Sequence, residues 1–258
     1  MDDKSGYSNR LRSFLATLPK MADDQTWRSE FIFEALQDEC IFGSLAETLS
    51  WYRQQVLENQ MTYMVIPLSE CRGWSLSAES GSLVHESGEF FRVDGIRVNA
   101  SPSREVTSGW DQPILTQIGF DGGILGLIRK RFAGIPHYLI EAKAEPGNYN
   151  FVQITTTIQA TFSNLKRAHK GSGTPYAEYF LNPKVYGASV VFEQWMSEDG
   201  GRLLNKRNRT MLIEIPESHE FPLIAPRYRW VSLFQLKSLL KTEDAIVAPH
   251  IRGILAVV

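Results

Sequence analysis

The sequence predicts an α+β fold: a mixed β-sheet sandwiched by helices, with an N-terminal helical extension. Three observations carry this. Residues 1–60 place apolar side chains at helical spacing, whereas residues 61–258 read mainly as short strands. The run Gly123–Ala144 is two apolar strands around an Ala133-Gly134 turn. Strands and helices are interleaved through hairpins, unlike the strict strand–helix alternation of a doubly wound parallel sheet. We therefore divide the chain into a helical extension, 1–60, and a sheet-bearing module, 61–258.

Leu11, Phe14, Leu15 and Leu18 recur at helical spacing until Pro19 ends the run. Phe31, Phe33, Leu36, Ile41 and Phe42 form a second apolar group. Ser44–Gln60 carries the clearest helix signal. Ser44 can cap it, Glu47 completes a capping box, and Leu45, Leu49, Tyr52 and Val56 face one way. Beyond it, Met61–Leu68 is strand-like. Gly81–Asn99 reads as two short strands around Ser87-Gly88, with Asp94-Gly95 as a further turn signal. After the Gly123–Ala144 hairpin, Pro146-Gly147-Asn148 marks a turn, and a helix is expected over Thr155–His169. On that helix Ile158, Phe162 and Leu165 form the buried stripe. Gln159, Ser163, Lys166 and Arg167 lie on one flank, and Thr157, Thr161 and Asn164 on the other. Arg209–Pro216 is a late strand, and Ser232 is placed to cap a short final helix.

Composition narrows the function classes. Apolar residues make up 43% of the 258-residue chain and charged residues 22%, as in ordinary globular domains. A net charge of −2 gives no support for a dedicated nucleic-acid partner. Cys40 and Cys71 are not spaced as a metal pair and read as reduced thiols. The polar N-terminus does not resemble a secretory signal. No apolar run approaches the roughly 20 residues of a membrane span. A cytoplasmic protein with no membrane contact is the expectation.

The chemistry-bearing stretch is Glu141–His169. A strand ends in Glu141-x-Lys143-x-Glu145, a glycine turn follows, and no carboxylate lies between Gly147 and His169. A Mg²⁺ site needs several converging carboxylate oxygens. This segment offers amides, hydroxyls and cations, groups that hydrogen-bond a sugar or phosphate. No metal and no cofactor are expected.

Several ordered blocks resemble the NDP-hexose 2,3-dehydratases of deoxysugar pathways. They are Gln112-Pro113-Ile114, Gly123-Ile124-Leu125-Gly126, Ala142-Lys143-x-Glu145-Pro146-Gly147-Asn148, Val152-Gln153, Gln159-Ala160-Thr161, Ser163-Asn164 and His169. Flanking landmarks are Pro175–Phe180, Lys206–Arg209 and Arg229–Leu236. The resemblance runs from about residue 51 to the end of the chain. It implies a Nudix-like sheet whose metal-binding helix has been rewritten, acting on a nucleotide-linked 4-keto-6-deoxyhexose, typically the dTDP sugar. It departs in two places. Members commonly hold two related modules where this chain shows one, which points to a homodimer. Glu141 stands where the resemblance leads one to expect Gln.

The implied reaction removes water from C2 and leaves a ketone at C3, giving a 3,4-diketo-2,6-dideoxy sugar for a downstream 3-ketoreductase. It needs a base, donors for the C4 enolate oxygen and an acid for the leaving hydroxyl. Glu141, Glu145 and His169 are candidate bases, and Lys143 a candidate enolate stabiliser. Tyr176 or Tyr179 is placed to protonate the leaving group. Asn148, Gln159, Thr161 and Asn164 are candidate sugar contacts. Arg202, Lys206, Arg207 and Arg209 suit a diphosphate. Trp110 or Trp195 is a candidate platform for the nucleotide base, and Gln112 a further candidate substrate contact. His85 and His137 read as structural. Three rivals remain at this stage: a metal-dependent nuclease using Glu141-x-Lys143 with Asp111 or Asp121, a metal-assisted Nudix hydrolase, and a non-catalytic sugar-nucleotide-binding module.

Overall fold

Leu45–Glu58 forms the helix that the capping box predicts. The Ser44 hydroxyl accepts the Glu47 N–H at 3.3 Å, and the Glu47 carboxylate accepts the Ser44 N–H at 2.7 Å. The computed structural model describes residues 4–19, 26–99, 103, 106–117, 122–165, 173–242 and 245–256. Helices α1 (Lys4–Leu15), α2 (Thr26–Leu36) and α3 (Leu45–Glu58) come first. Strands β1 (Trp74–Leu76), β2 (Leu83–His85), β3 (Arg92–Val98) and β4 (Trp110–Thr116) follow. Then come β5 (Ile124–Phe132), β6 (Ile135–Ala144), β7 (Val152–Thr155), β8 (Ile158–Ala160), α4 (Phe162–Leu165) and α5 (Ala177–Leu181). The chain continues with β9 (Ser189–Ser197), β10 (Leu203–Leu204), β11 (Arg207–Ile215), β12 (Tyr228–Val231), α6 (Leu233–Leu239) and α7 (Arg252–Leu255). The α+β expectation is met.

The main sheet runs β12-β6-β5-β11-β9, with β7 on β6 and β8 on β5. β5 and β11 are parallel, and the other pairs are antiparallel. Both faces are covered, so its central strands are buried continuously rather than at alternate positions. Leu127, Tyr138, Ile140 and Leu212 join Phe31 of α2, Tyr52 of α3 and Leu236 of α6 in one cluster. Ile128, Leu139, Met211 and Ile213 pack on the other face with Phe180 of α5 and Trp230. A second sheet, β1-β2-β3-β4-β10, lies alongside.

Strands β5 and β6 pair only from Ile128/Leu139 to the turn at Phe132/Ile135. Beyond Ile128 they part. The strand–turn–strand segment β7–β8 enters the gap, β7 taking the edge of β6 and β8 that of β5. Parting strands frees backbone groups that must find other partners. Thr157, in the turn between β7 and β8, meets this need. Its hydroxyl donates to the Leu139 carbonyl at 2.5 Å and accepts the Ile128 N–H at 2.9 Å. Thr157→Val keeps the shape and orphans both buried groups. Urea unfolding is expected to show a loss of about 1–3 kcal/mol; wild-type stability would mean that the hydroxyl is dispensable.

The structure departs from three of the expectations. Thr155–His169 does not form one helix: Val152–Thr155 and Ile158–Ala160 are strands, and among the described residues the helix is Phe162–Leu165. The β-branched run Val152-Gln153-Ile154-Thr155-Thr156-Thr157-Ile158 favours strand, and the wedge supplies the partners. Met61–Leu68 forms no strand; it has no regular structure before a 3₁₀ turn at Leu68–Glu70, with Met64 and Val65 largely exposed. Asp94-Gly95 is no turn but lies within β3, where Asp94 accepts the Ser82 hydroxyl at 2.5 Å. The other turn signals, Ser87-Gly88 and Ala133-Gly134, and the Ser232 cap of α6 are borne out.

A buried ion network holds α2 to the sheet. Arg129 of β5 is 2% exposed. It pairs with Glu34 at 2.6 Å, Glu30 at 3.0 Å and Glu214 of β11, and the Tyr138 hydroxyl donates to Glu34 at 2.7 Å. His137 is structural as expected. Its Nε2 accepts the Ile41 N–H at 3.1 Å, and burial takes its pKa down to about 4, so it stays neutral.

Candidate functional site

On a strand, side chains two apart share a face. Glu141 and Lys143 therefore point the same way from β6, Glu145 follows just beyond its end, and β8 brings Gln159 beside them. Lys143 Nζ donates to Glu145 Oε1 at 2.8 Å and to the Gln159 carbonyl at 3.0 Å. The Gln159 amide donates to Glu145 Oε2 at 3.0 Å and accepts from Thr155 at 3.0 Å. Both oxygens of the Glu145 carboxylate are thus fixed. The turn after it is closed by the Asn148 N–H on the Glu145 carbonyl at 3.2 Å and by the Asn148 side chain on the Lys143 carbonyl at 3.3 Å. Gly147 takes a φ of +92° there, which a side chain would disfavour.

Lys143, Gln159 and Asn164 form the wall between two cavities. One, about 300 Å³, is lined by Glu141, Thr157, Gly173, Thr174, Pro175, Arg227 and Tyr228 as well. The other, about 160 Å³, is completed by Glu145, Thr161, Glu198, Lys206, Asn208 and His250 with Phe91, Leu125 and Leu203. Leu125, Glu198, Leu203 and His250 also border a third cavity of about 470 Å³, lined by Leu115, Met196, Thr210 and Gly253 among others. The three spaces follow one another past the open end of the β5–β6 wedge.

Glu141 is 4% exposed and meets Arg227 at 3.0 Å. Burial raises its carboxyl pKa, and the Arg227 charge only partly opposes this. Tyr228 is raised as well, by burial and then by Glu141, so it remains a proton donor.

The predicted basic cluster separates along β11. Lys206 and Asn208 turn into the smallest of the three cavities. Arg207 lies over the Trp195 ring, 4.7 Å from its centroid. Arg209 meets Glu193 at 3.3 Å and donates to the Phe180 carbonyl at 3.1 Å. Arg202 pairs with Asp199 at the rim of the largest cavity. Trp110 donates to Gln112, which donates to the Gly201 carbonyl, each at 2.7 Å; neither lines the three cavities. The Tyr176 hydroxyl donates to the Pro222 carbonyl at 2.9 Å and accepts the Ile224 N–H at 2.8 Å. Tyr179 stands 3.2 Å from His219. Thr161 bonds Ser163 at 2.9 Å. His169, Lys166, Arg167 and Asp121 lie outside the described residues.

Sequence reasoning missed Arg227, Tyr228, Glu198, Asn208 and His250. Strand alternation from Lys206 singles out Asn208; nothing local singles out His250. Among the described residues no three His, Cys, Asp or Glu side chains cluster as metal ligands, and no helix is long and apolar enough to cross a membrane.

Residues 45–258 match the family model described as NDP-hexose 2,3-dehydratase. A dTDP-4-dehydro-6-deoxy-alpha-D-glucopyranose 2,3-dehydratase of Saccharopolyspora spinosa is 38% identical over 210 residues, 80% of this chain and 40% of that protein. Proteins of the same name from Streptomyces violaceoruber and Amycolatopsis orientalis are 35% and 33% identical, over 77% and 76% of this chain and 44% and 41% of theirs. The chain thus spans less than half the length of these curated relatives. Among solved structures, a Nudix hydrolase from M. smegmatis is similar over 63% of this chain and 97% of its own, with 15% identity and a TM-score of 0.32. An ADP compounds hydrolase covers 65% and 82%, with 12% identity and a TM-score of 0.33.

Proposed function

The chain belongs to the NDP-hexose 2,3-dehydratase family, and on that premise we propose that it dehydrates a nucleotide-linked 4-keto-6-deoxyhexose, with dTDP-4-keto-6-deoxyglucose as the favoured substrate. The observation that carries this reading is the fixed Lys143–Glu145–Gln159 cluster where the two smaller cavities meet.

The sugar occupies the cavity lined by Glu141, Arg227 and Tyr228, with C1 toward the smaller cavity lined by Lys206 and His250. That places C2 and C3, the reacting carbons, against the shared wall. Glu145 removes the C3 proton, made acidic by the C4 ketone, and the electron pair moves onto the C4 oxygen. Lys143 stabilises that enolate as a preorganised cation. The enolate electrons then form the C2–C3 double bond, and the C2 hydroxyl leaves. Tyr228, kept protonated by burial, supplies the proton that makes it water. The resulting enol takes a proton at C2 and loses one from its C3 hydroxyl, giving the 3-ketone. Electrons balance within the sugar, so neither nicotinamide nor metal is required.

Glu145 is preferred to Glu141 as base because it belongs to the sequence block that carries the family resemblance, whereas Glu141 departs from it. Assembly as a homodimer, a cytoplasmic location, and a downstream 3-ketoreductase that consumes the reactive diketone complete the proposal.

Purified protein incubated with dTDP-4-keto-6-deoxyglucose, a 3-ketoreductase and NADPH is expected to form a 2-deoxy sugar nucleotide, unchanged by EDTA. Tight dTDP binding without turnover would replace this reading by a non-catalytic binding module. EDTA-sensitive release of nucleoside monophosphate would replace it by a hydrolase.

A further inference from the structure

Two residues that line the smallest cavity each bury a nitrogen with no hydrogen-bond partner among the described residues: Lys206 Nζ and His250 Nδ1. Lys206 is 8% exposed, and its ammonium lies 5.9 Å from the centroid of the Phe91 ring. A buried ammonium without an acceptor is costly, so a missing acceptor is the natural explanation. The other charged groups lining the cavity are already engaged. Glu145 is held by Lys143 and Gln159, and Glu198 accepts from Asn208, whose carbonyl oxygen takes the Gly123 N–H at 2.7 Å. Among the described residues the space therefore offers no free anionic acceptor to Lys206 and His250.

We propose that Lys206 and His250 form the diphosphate-binding site, receiving phosphoryl oxygens in this smallest cavity, between the sugar cavity and the largest cavity, which takes the nucleoside. The order of the three spaces is that of a sugar–diphosphate–nucleoside chain, and the smallest is the middle one. His250 borders both the middle and the largest space, as a group reaching the phosphate next to the nucleoside must. The outer space has the more apolar lining, with Leu115, Leu125, Met196 and Leu203. Burial lowers the Lys206 pKa, with Glu198 opposing it, and a bound anion would reverse that shift. The arginines around Lys206 take no part: Arg202, Arg207 and Arg209 are held by Asp199, Trp195, and Glu193 with Phe180.

This assignment rests on the sugar-nucleotide reading, but its test does not require turnover. Calorimetry compares dTDP, thymidine and inorganic pyrophosphate binding to the wild type, Lys206→Met, His250→Leu and Arg207→Met. Lys206→Met is expected to weaken dTDP and pyrophosphate by about tenfold to a hundredfold, the worth of a charge-assisted hydrogen bond, and to leave thymidine unchanged. His250→Leu weakens dTDP by a smaller factor, and Arg207→Met has no effect. Lys206→Met is expected to melt no lower than the wild type, since it removes an unpaired buried cation. Wild-type dTDP affinity in Lys206→Met, or no binding of dTDP and pyrophosphate by the wild type, overturns the assignment. A fall in kcat with dTDP affinity intact overturns it too, by moving Lys206 to the reacting oxygen. Loss of dTDP affinity in Lys206→Met alongside an inactive wild type would sink the dehydratase reading and leave this site standing.

Discussion

Glu145→Gln is expected to lower kcat by about 10²–10⁴-fold, the range for removing a positioned general base. The amide keeps the size of the side chain and its one oxygen can still accept from Lys143, so substrate affinity should change little. Glu141→Gln provides the contrast. It alters a carboxylate of the same strand face, two turns of the pleat away, and should lose less activity than Glu145→Gln. It should also hold or raise stability at neutral pH. Burial puts the Glu141 pKa above its unfolded value, so the folded state holds that proton more tightly. Its contribution is then fully present at low pH, below the unfolded value. It is lost as pH rises through the folded value, and at neutral pH the buried charge works against folding. Gln carries no such charge. Steady-state kinetics and thermal melts of both variants decide the point. A larger activity loss in Glu141→Gln would move the base to Glu141.

The second large effect concerns the scaffold. Arg129→Met removes the cation that neutralises Glu34, which is 5% exposed, and the loss of Arg129 also strips a partner from Glu30 and Glu214. Breaking such a buried pair from one side costs about 3–5 kcal/mol. Urea unfolding should show this deficit at neutral pH. Glu34 already has a pKa raised by burial against the pull of Arg129. Without Arg129 it rises further, so the folded variant is stabilised by protonation. The deficit should shrink as pH falls through the raised folded value toward the ordinary carboxylate range. Arg131, which remains paired with Glu30 and Glu214, limits their part in this change. A loss independent of pH would mean that packing of Arg129 on Phe31, 5.2 Å from its ring, matters more than its charge.

Much of this architecture was legible because its signals are local. The capping box at Ser44 and Glu47, the Ala133-Gly134 hairpin and the Ser232 cap each need only a few adjacent residues. The β7–β8 wedge is not legible locally, because a helical stripe of Ile158, Phe162 and Leu165 coexists with a β-branched run. Tertiary context decided between them: the parted edges of β5 and β6 offer strand partners that no local pattern reveals. The same distinction holds at the site. Lys143, Glu145, Asn148 and Gln159 come from neighbouring segments, and the sequence marks them. Lys206 was singled out as part of a charge run, yet strand alternation sends Arg207 and Arg209 away from it. His250 follows Pro249 in a 3₁₀ turn and reaches the cavity only through long-range packing. A lone histidine there carries no sequence signal.

The most direct measurement uses dTDP-4-keto-6-deoxyglucose deuterated at C3, incubated with the 3-ketoreductase and NADPH. The label should pass to water as a 2-deoxy sugar nucleotide accumulates, and both processes should be suppressed together in Glu145→Gln. Release of nucleotide with the label retained at C3, or label loss at the wild-type rate in Glu145→Gln, would contradict the account.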